Sequence, residues 1–257
     1  MHKSKHPLIL HIPHSSSHIP AEVRKDIILS DTELEDELLK LTDHCMDEIA
    51  DIDESIGKTI INKYSRMVVD PERFRDDEKE IMSSVGMGAV YISTSDKKSL
   101  RNITNEKRES LLKQYYDPYY REFNEITKNM LDKFNRCLII DVHSFPSSPL
   151  PYELNQDLDR PDICIGTNDF HTPEDITDII KKYYLDKDYI VKLDMPFKGT
   201  FVPDDFYEKD KRVSSVMIEI NRALYMDEET GEKLDGFYRI KREFEGLVEV
   251  VLNEFSS

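Results

Sequence analysis

The sequence predicts an α/β fold, a mixed and mostly parallel sheet with helices on both faces. Three observations carry this. Short apolar runs alternate along the chain with longer segments of helical period, the order expected when helices cross between strands. One run, Cys137–Val142, is apolar almost throughout, as a central strand covered on both faces must be. The 257 residues suffice for one large domain of this kind, and the 39% that are hydrophobic can fill its core. Residues 1–257 read as a single domain, since no internal repeat or Gly/Ser-rich linker divides them.

Taken in order, Leu8–Ile12 is a short buried strand stopped by Pro13. Residues 20–29 make a short helical segment. Ser30 opens the next helix as N-cap, with Glu33 completing a capping box. Leu34, Leu38, Leu41, Cys45, Ile49 and Ile52 keep the helical spacing as far as Gly57. Lys58–Asn62 is a second strand and Met67–Val69 a third apolar run, followed by a loop holding Pro71 and Arg73. Residues 76–99 mix charges, Gly86, Gly88 and a strand-like Ala89–Ser93, and read as an excursion from the core. Thr104–Phe134 is a long helix interrupted near Pro118. Strands at Ile163–Ile165, Tyr189–Leu193 and Val213–Ile220, with helices at Pro173–Tyr184 and Gly236–Phe255, complete the chain.

The net charge is −17, which argues against binding to nucleic-acid phosphates or anionic lipid, since both rely on Lys/Arg attraction. No apolar stretch approaches the roughly 20 residues of a membrane helix. Three cysteines without paired spacing point to a reducing, cytoplasmic compartment. A small carboxylate substrate and a monomer or homodimer are the expected partners.

Ligands of an open α/β sheet gather beyond the carboxyl ends of its strands. Three strand ends carry unusual polar groups: His14 after Leu8–Ile12, His143-Ser144 after Cys137–Val142 with Asp141 just before, and Glu219 through Arg222 after Val213–Ile218. Two imidazoles and a carboxylate at one sheet edge suit a borderline-soft divalent ion such as Zn²⁺. The other six histidines, His2, His6, His11, His18, His44 and His171, lack this double placement. His18 and His44 read either as outer partners of the site or as surface residues. Asp43 is the candidate third ligand; it shares a helix face with Asp47, which also fits a solvated surface. Glu219 reads either as general base or as an ion-pair partner of Arg222. Arg66, Arg73 and Arg222 lie in strand-adjacent loops, where a guanidinium can grip a substrate carboxylate or pair with Asp70, Glu72 or Glu219.

Several segments together resemble the N-formylglutamate amidohydrolase family. They are Ile12-Pro13-His14-Ser15, Thr42-Asp43 with Asp47-Glu48, Ser65-Arg66 through Asp70 and Arg73, and Gly86-Met87-Gly88. Further along come Tyr116-Asp117-Pro118-Tyr119, Asp141-Val142-His143-Ser144, Pro196-Phe197-Lys198-Gly199 and Ile218 through Tyr225. They occur in the family's order and span residues 12 to 225. The resemblance implies a zinc-carboxypeptidase-like (phosphorylase/hydrolase-like) fold with one catalytic Zn²⁺ per chain. It also implies cleavage of the formyl amide of N-formyl-L-glutamate to formate and glutamate in histidine degradation. His143 matches the zinc-binding His of that wider group. Other members carry a Glu three residues after the first His; here Ser17 stands there, which turns attention to Asp43. Glu219 matches the late strand that supplies the general base. Arg66 is the candidate oxyanion stabiliser, with Arg73 sharing that possibility. Arg73, Arg222, Ser144 and Gly199 are the candidate substrate contacts. Tyr120 stands where His is expected and Thr200 where a second Gly is expected, so the chemistry carries over further than the exact substrate. Two rivals remain: a metallopeptidase or deacylase for another N-acyl substrate, and a non-catalytic binding protein. The second must explain why His14, His143 and Glu219 are all present.

Overall fold

The structure, a computed structural model, describes residues 4–255, so His2 lies outside the described residues. Six strands form one sheet: β1 (Leu8–Ile12), β2 (Lys58–Ile61), β3 (Cys137–Phe145), β4 (Ile163–Gly166), β5 (Val191–Leu193) and β6 (Val213–Asn221). Their order across the sheet is β2-β1-β3-β6-β4-β5. Neighbours run parallel except β4 and β6, which are antiparallel. The expected α/β class, mixed sheet and two-sided helical cover are all present.

Alternation along the strands decides what each face does. Leu8, Leu10 and Ile12, with Leu138, Ile140, Val142, Val216, Ile218 and Ile220, point to one side. There they pack against α3 (Met46–Ile49), α6 (Glu174–Leu185) and α7 (Gly236–Phe255). Each such aliphatic side chain stabilises the fold by about 1.5–3 kcal/mol. The opposite face begins apolar, with Ile9, Cys137, Ile139 and Val213 under Tyr119, Phe123, Met130 and Leu131 of α5 (Asp117–Phe134). Towards the carboxyl ends of the strands it turns polar, at His11, Asp141, His143 and Glu219, all buried.

Two expectations need correction. The helix after Ser30 does have its capping box, but α2 (Asp31–Leu41) stops at Thr42 instead of continuing past Ile49. Cys45 takes a left-handed conformation, φ 64°, before the short α3. The Asp43 N–H donates to the His14 carbonyl at 3.0 Å and Arg222 donates to the Lys40 carbonyl at 2.6 Å, so tertiary bonds break the helix despite its apolar spacing. Asp43 and Asp47 therefore do not share a helix face. Second, residues 76–99 are no excursion: Met82, Met87, Ala89 and Tyr91 are buried, and only an isolated bridge, Ser93 with Ser99, stands where a strand was expected. Met67–Val69, the third apolar run, is buried without forming a strand. The interruption expected near Pro118 is a π-helical turn at Leu112–Tyr116, which joins α4 (Asn105–Leu111) to α5, with Pro118 in the first turn of α5. Among the described residues no helix is long and apolar enough to cross a membrane.

Candidate active site

A cavity of about 500 Å³ opens beyond the carboxyl ends of β1, β3 and β6. His14, Asp43, Arg66, Arg73, His143, Ser144, Gly199, Glu219 and Arg222 all line it, so every site residue expected from the sequence meets at one place. The register explains part of this. His143 sits beside Glu219 and His11 beside Asp141 on adjacent parallel strands, while Asp141 and His143 share a face two residues apart.

Each histidine is held by a buried carboxylate on one nitrogen. His14 Nε2 lies 2.8 Å from Asp70 Oδ1, and His143 Nε2 lies 3.0 Å from Asp141 Oδ1 and 3.1 Å from Glu72 Oε1. An ionised carboxylate only accepts, so these contacts favour a proton on Nε2 of each ring. A second proton on Nδ1 would make His143 an imidazolium, and a metal ion would take that proton's place. Both Nδ1 atoms face one oxygen: Asp43 Oδ2 is 3.1 Å from His143 Nδ1 and 3.7 Å from His14 Nδ1. His14 Nδ1 is buried and has no hydrogen-bond partner among the described residues.

The charges explain the strain in this arrangement. Burial alone would raise the Asp43 carboxyl, but the His14 and His143 rings outweigh it and hold it well below the usual carboxylate range. Burial alone would lower His143, yet Glu72 and Asp141 drive it well above the usual imidazole value. These carboxylates favour a positive charge among them, either a second proton on His143 or a cation between the Nδ1 atoms and Asp43. A metal ion would be such a cation. Zinc bonds of about 2.0–2.1 Å in a tetrahedron set ligand atoms about 3.3 Å apart, and the observed separations bracket that spacing. Carboxylates on the far nitrogens are the outer partners such ligands normally have. Glu72, which the sequence suggested only as an arginine partner, is a second acidic candidate. His14, Glu72 and His143 offer ligand atoms within 4.8 Å of one another, as do His11, Glu72 and Asp141.

The remaining groups divide by what they touch. Glu219 is buried, its Oε2 has no partner among the described residues, and burial pushes its carboxyl up to about 8, with His143 opposing. Arg222 is fully engaged: it donates to Asp43 Oδ1 at 3.0 Å, to Ser144 Oγ at 3.1 Å and to the Lys40 carbonyl. Arg66 donates to Asp70 at 2.9 Å and to the Tyr91 hydroxyl oxygen at 2.9 Å. Arg73 is looser, its Nε 3.7 Å from Asp70 and unpartnered. Gly199 has φ +98° with nothing within 4 Å of a built Cβ, so its backbone conformation, not crowding, requires glycine. Tyr120 lines the cavity and donates to the Pro71 carbonyl, while Thr200 meets Ser215 at 2.6 Å. His18 stacks on Tyr64 and His171 is satisfied between the Val213 carbonyl and the Glu208 N–H.

A sequence profile of N-formylglutamate amidohydrolase matches residues 6–226. The chain belongs to the N-formylglutamate amidohydrolase family. Its name designates hydrolysis of an amide, the class of reaction the cavity was read to serve. Two solved structures share the fold of this family member. N-formylglutamate amidohydrolase from Ralstonia eutropha JMP134 superposes with TM-score 0.82 at 23% identity, covering 98% of this chain and 94% of that one. Gene product Atu2144 from Agrobacterium tumefaciens gives TM-score 0.68 at 16% identity, covering 99% and 93%. A search of curated protein sequences found no significant match.

Sequence reasoning missed Asp70, Glu72 and His11 as members of the constellation. Asp70 and Glu72 are read from sequence as arginine partners, and indeed Asp70 meets Arg66; its bond to His14, 56 residues away, leaves no local trace. His11 was visible as a polar residue inside an otherwise apolar strand.

Proposed function

We propose that this protein is a zinc-dependent amidohydrolase of N-formyl or N-acyl amino acids, with N-formyl-L-glutamate as its first expected substrate. The observation that carries the reading is the pair of Nδ1 atoms, on His14 and His143, turned to the one carboxylate oxygen Asp43 Oδ2. Those three residues would hold one Zn²⁺. When bound, the ion supplies Lewis acidity toward the amide carbonyl and acidifies water. Asp43 is preferred to Glu72 as the third ligand because it leaves the Asp70 and Asp141 bonds to the Nε2 atoms intact.

The chain's own residues account for the rest. Glu219, beside His143 in the sheet and with an oxygen unpartnered among the described residues, takes the proton of the attacking water and passes it to the leaving amine. It accepts that proton in its ionised form, which a bound cation would favour against burial. Arg66 is fixed by Asp70 and Tyr91 and suits stabilisation of the developing oxyanion. Arg73 has an unused donor and suits the substrate carboxylate. Arg222, spent on Asp43, Ser144 and Lys40, suits orientation of Asp43 better than direct substrate contact.

One observation favours a bulkier acyl amino acid. Phe74, Ile81 and Leu154 line the cavity and are 39%, 67% and 63% exposed. A volume of about 500 Å³ also falls within the range of about 300–1,000 Å³ typical of drug-sized ligands. A panel of N-formyl, N-acetyl and longer N-acyl glutamates, with N-formyl amino acids of apolar side chain, tests both readings. Hydrolysis of none of them at any zinc level removes the proposal.

A further inference from the structure

His11 is fully buried on β1, on the face where Ile9 also lies, and is ringed by aromatic side chains. Its ring centroid is 4.5 Å from Phe201, 4.9 Å from Phe123 and 5.9 Å from Tyr119. In such a cage an apolar residue would serve the core without the cost of burying a polar ring. The imidazole does one polar thing: its Nδ1 lies 2.7 Å from Asp141 Oδ1, while Nε2 has no partner among the described residues. Glu72 Oε1 is farther, at 3.8 Å from Nδ1.

Asp141 Oδ1 is the same atom that holds His143 Nε2, at 3.0 Å. Its other oxygen accepts the Phe201 N–H at 2.9 Å. Three donors therefore fix this buried carboxylate, and two of them are rings on neighbouring strands. Without the His11 donor, Asp141 would keep only His143 and one backbone N–H. Its Oδ1 would be freer to turn, leaving Glu72 Oε1, 3.1 Å from His143 Nε2, as the other acceptor on that ring nitrogen.

We propose that His11 is a positioning residue which, through Asp141, sets the orientation and tautomer of His143 and so the metal affinity of the site without touching metal or substrate. The proposal rests on the reading of His143 as a metal ligand. Polar partners at one remove from a ligand histidine typically contribute 10- to 100-fold to metal affinity, and His11 acts one residue farther out.

The test uses the full-length protein and two substitutions, with zinc affinity measured against a chelator at fixed pH. His11→Phe fills the aromatic cage but cannot donate, and it is expected to weaken zinc binding by about tenfold or more. His11→Asn places an amide N–H where Nδ1 stood and is expected to restore most of that loss. Nitrogen-15 NMR of the zinc-loaded wild-type protein supplies a readout that needs no variant. A proton on His11 Nδ1 supports the proposal, and a bare Nδ1 overturns it even if the variants fail to fold. Wild-type affinity in His11→Phe, or equal loss in Phe and Asn variants, also overturns it. Wild-type protein that binds no zinc sinks the metal reading and this proposal together; zinc binding that is indifferent to His11 sinks this proposal alone.

Discussion

The two faces of the central sheet use the same strands for different ends. On β3, Leu138, Ile140 and Val142 enter a fully apolar layer beneath α3, α6 and α7. The residues between them run Cys137, Ile139, Asp141 and His143, from apolar packing under α5 to the floor of the cavity. The first face stores stability. The second gives up part of its hydrophobic burial to hold carboxylates and imidazoles in each other's reach. A single strand can do both because its side chains alternate, and because the polar residues cluster at the carboxyl end where the sheet opens to solvent.

Substitutions on the two faces should therefore separate cleanly. The largest effect is expected from His143→Ala, which removes a proposed ligand and should abolish both zinc binding and turnover while the protein still folds; metal analysis and circular dichroism check this together. Glu219→Gln should retain zinc and lower kcat by about 10²–10⁴-fold, the usual contribution of a general base. Turnover near the wild-type rate would remove Glu219 from that role. On the apolar face, Ile140→Ala should cost about 2–5 kcal/mol in denaturant unfolding. Its folded fraction should keep the wild-type KM and zinc content, and a selective loss of zinc would show that the two faces are not independent.

Smaller effects sharpen the chemistry of the polar face. Asp43→Ala should lose zinc, whereas Glu72→Ala should keep it; the reverse would transfer the third-ligand role to Glu72. Arg73→Ala should mainly raise KM, by about tenfold or more if a charge-assisted bond of about 1.5–3 kcal/mol to the substrate is lost. A fall in kcat with unchanged KM would place Arg73 at the oxyanion instead.

Much of the apolar face was legible in the sequence. Leu8–Ile12 and Val213–Ile220 were bounded within one residue, and the closing helix Gly236–Phe255 to the residue, because local period and Pro or Gly stops determine them. The capping box at Ser30 was readable for the same reason. The break after Leu41 was not, since Leu41, Cys45 and Ile49 keep helical spacing while bonds from Asp43 to His14 and from Arg222 to Lys40 override it. The antiparallel placement of β4 against β6 is equally non-local. In the site, His14 could be picked out because it follows a strand, and His143 because it closes the apolar run of another, β3, which itself continues to Phe145. Asp141 stood out beside His143, but the more distant partners did not: Asp70 reaches His14 through a buried turn, and His11 reaches His143 only through a shared oxygen of Asp141.

Formate release from N-formyl-L-glutamate, followed before and after dialysis against a zinc chelator, bears most directly on the proposed site. The expected result is release by the zinc-loaded protein, loss on chelation and recovery when Zn²⁺ is returned. Undiminished formate release from a folded protein shown to contain no metal would contradict the assignment of His14, Asp43 and His143 as zinc ligands.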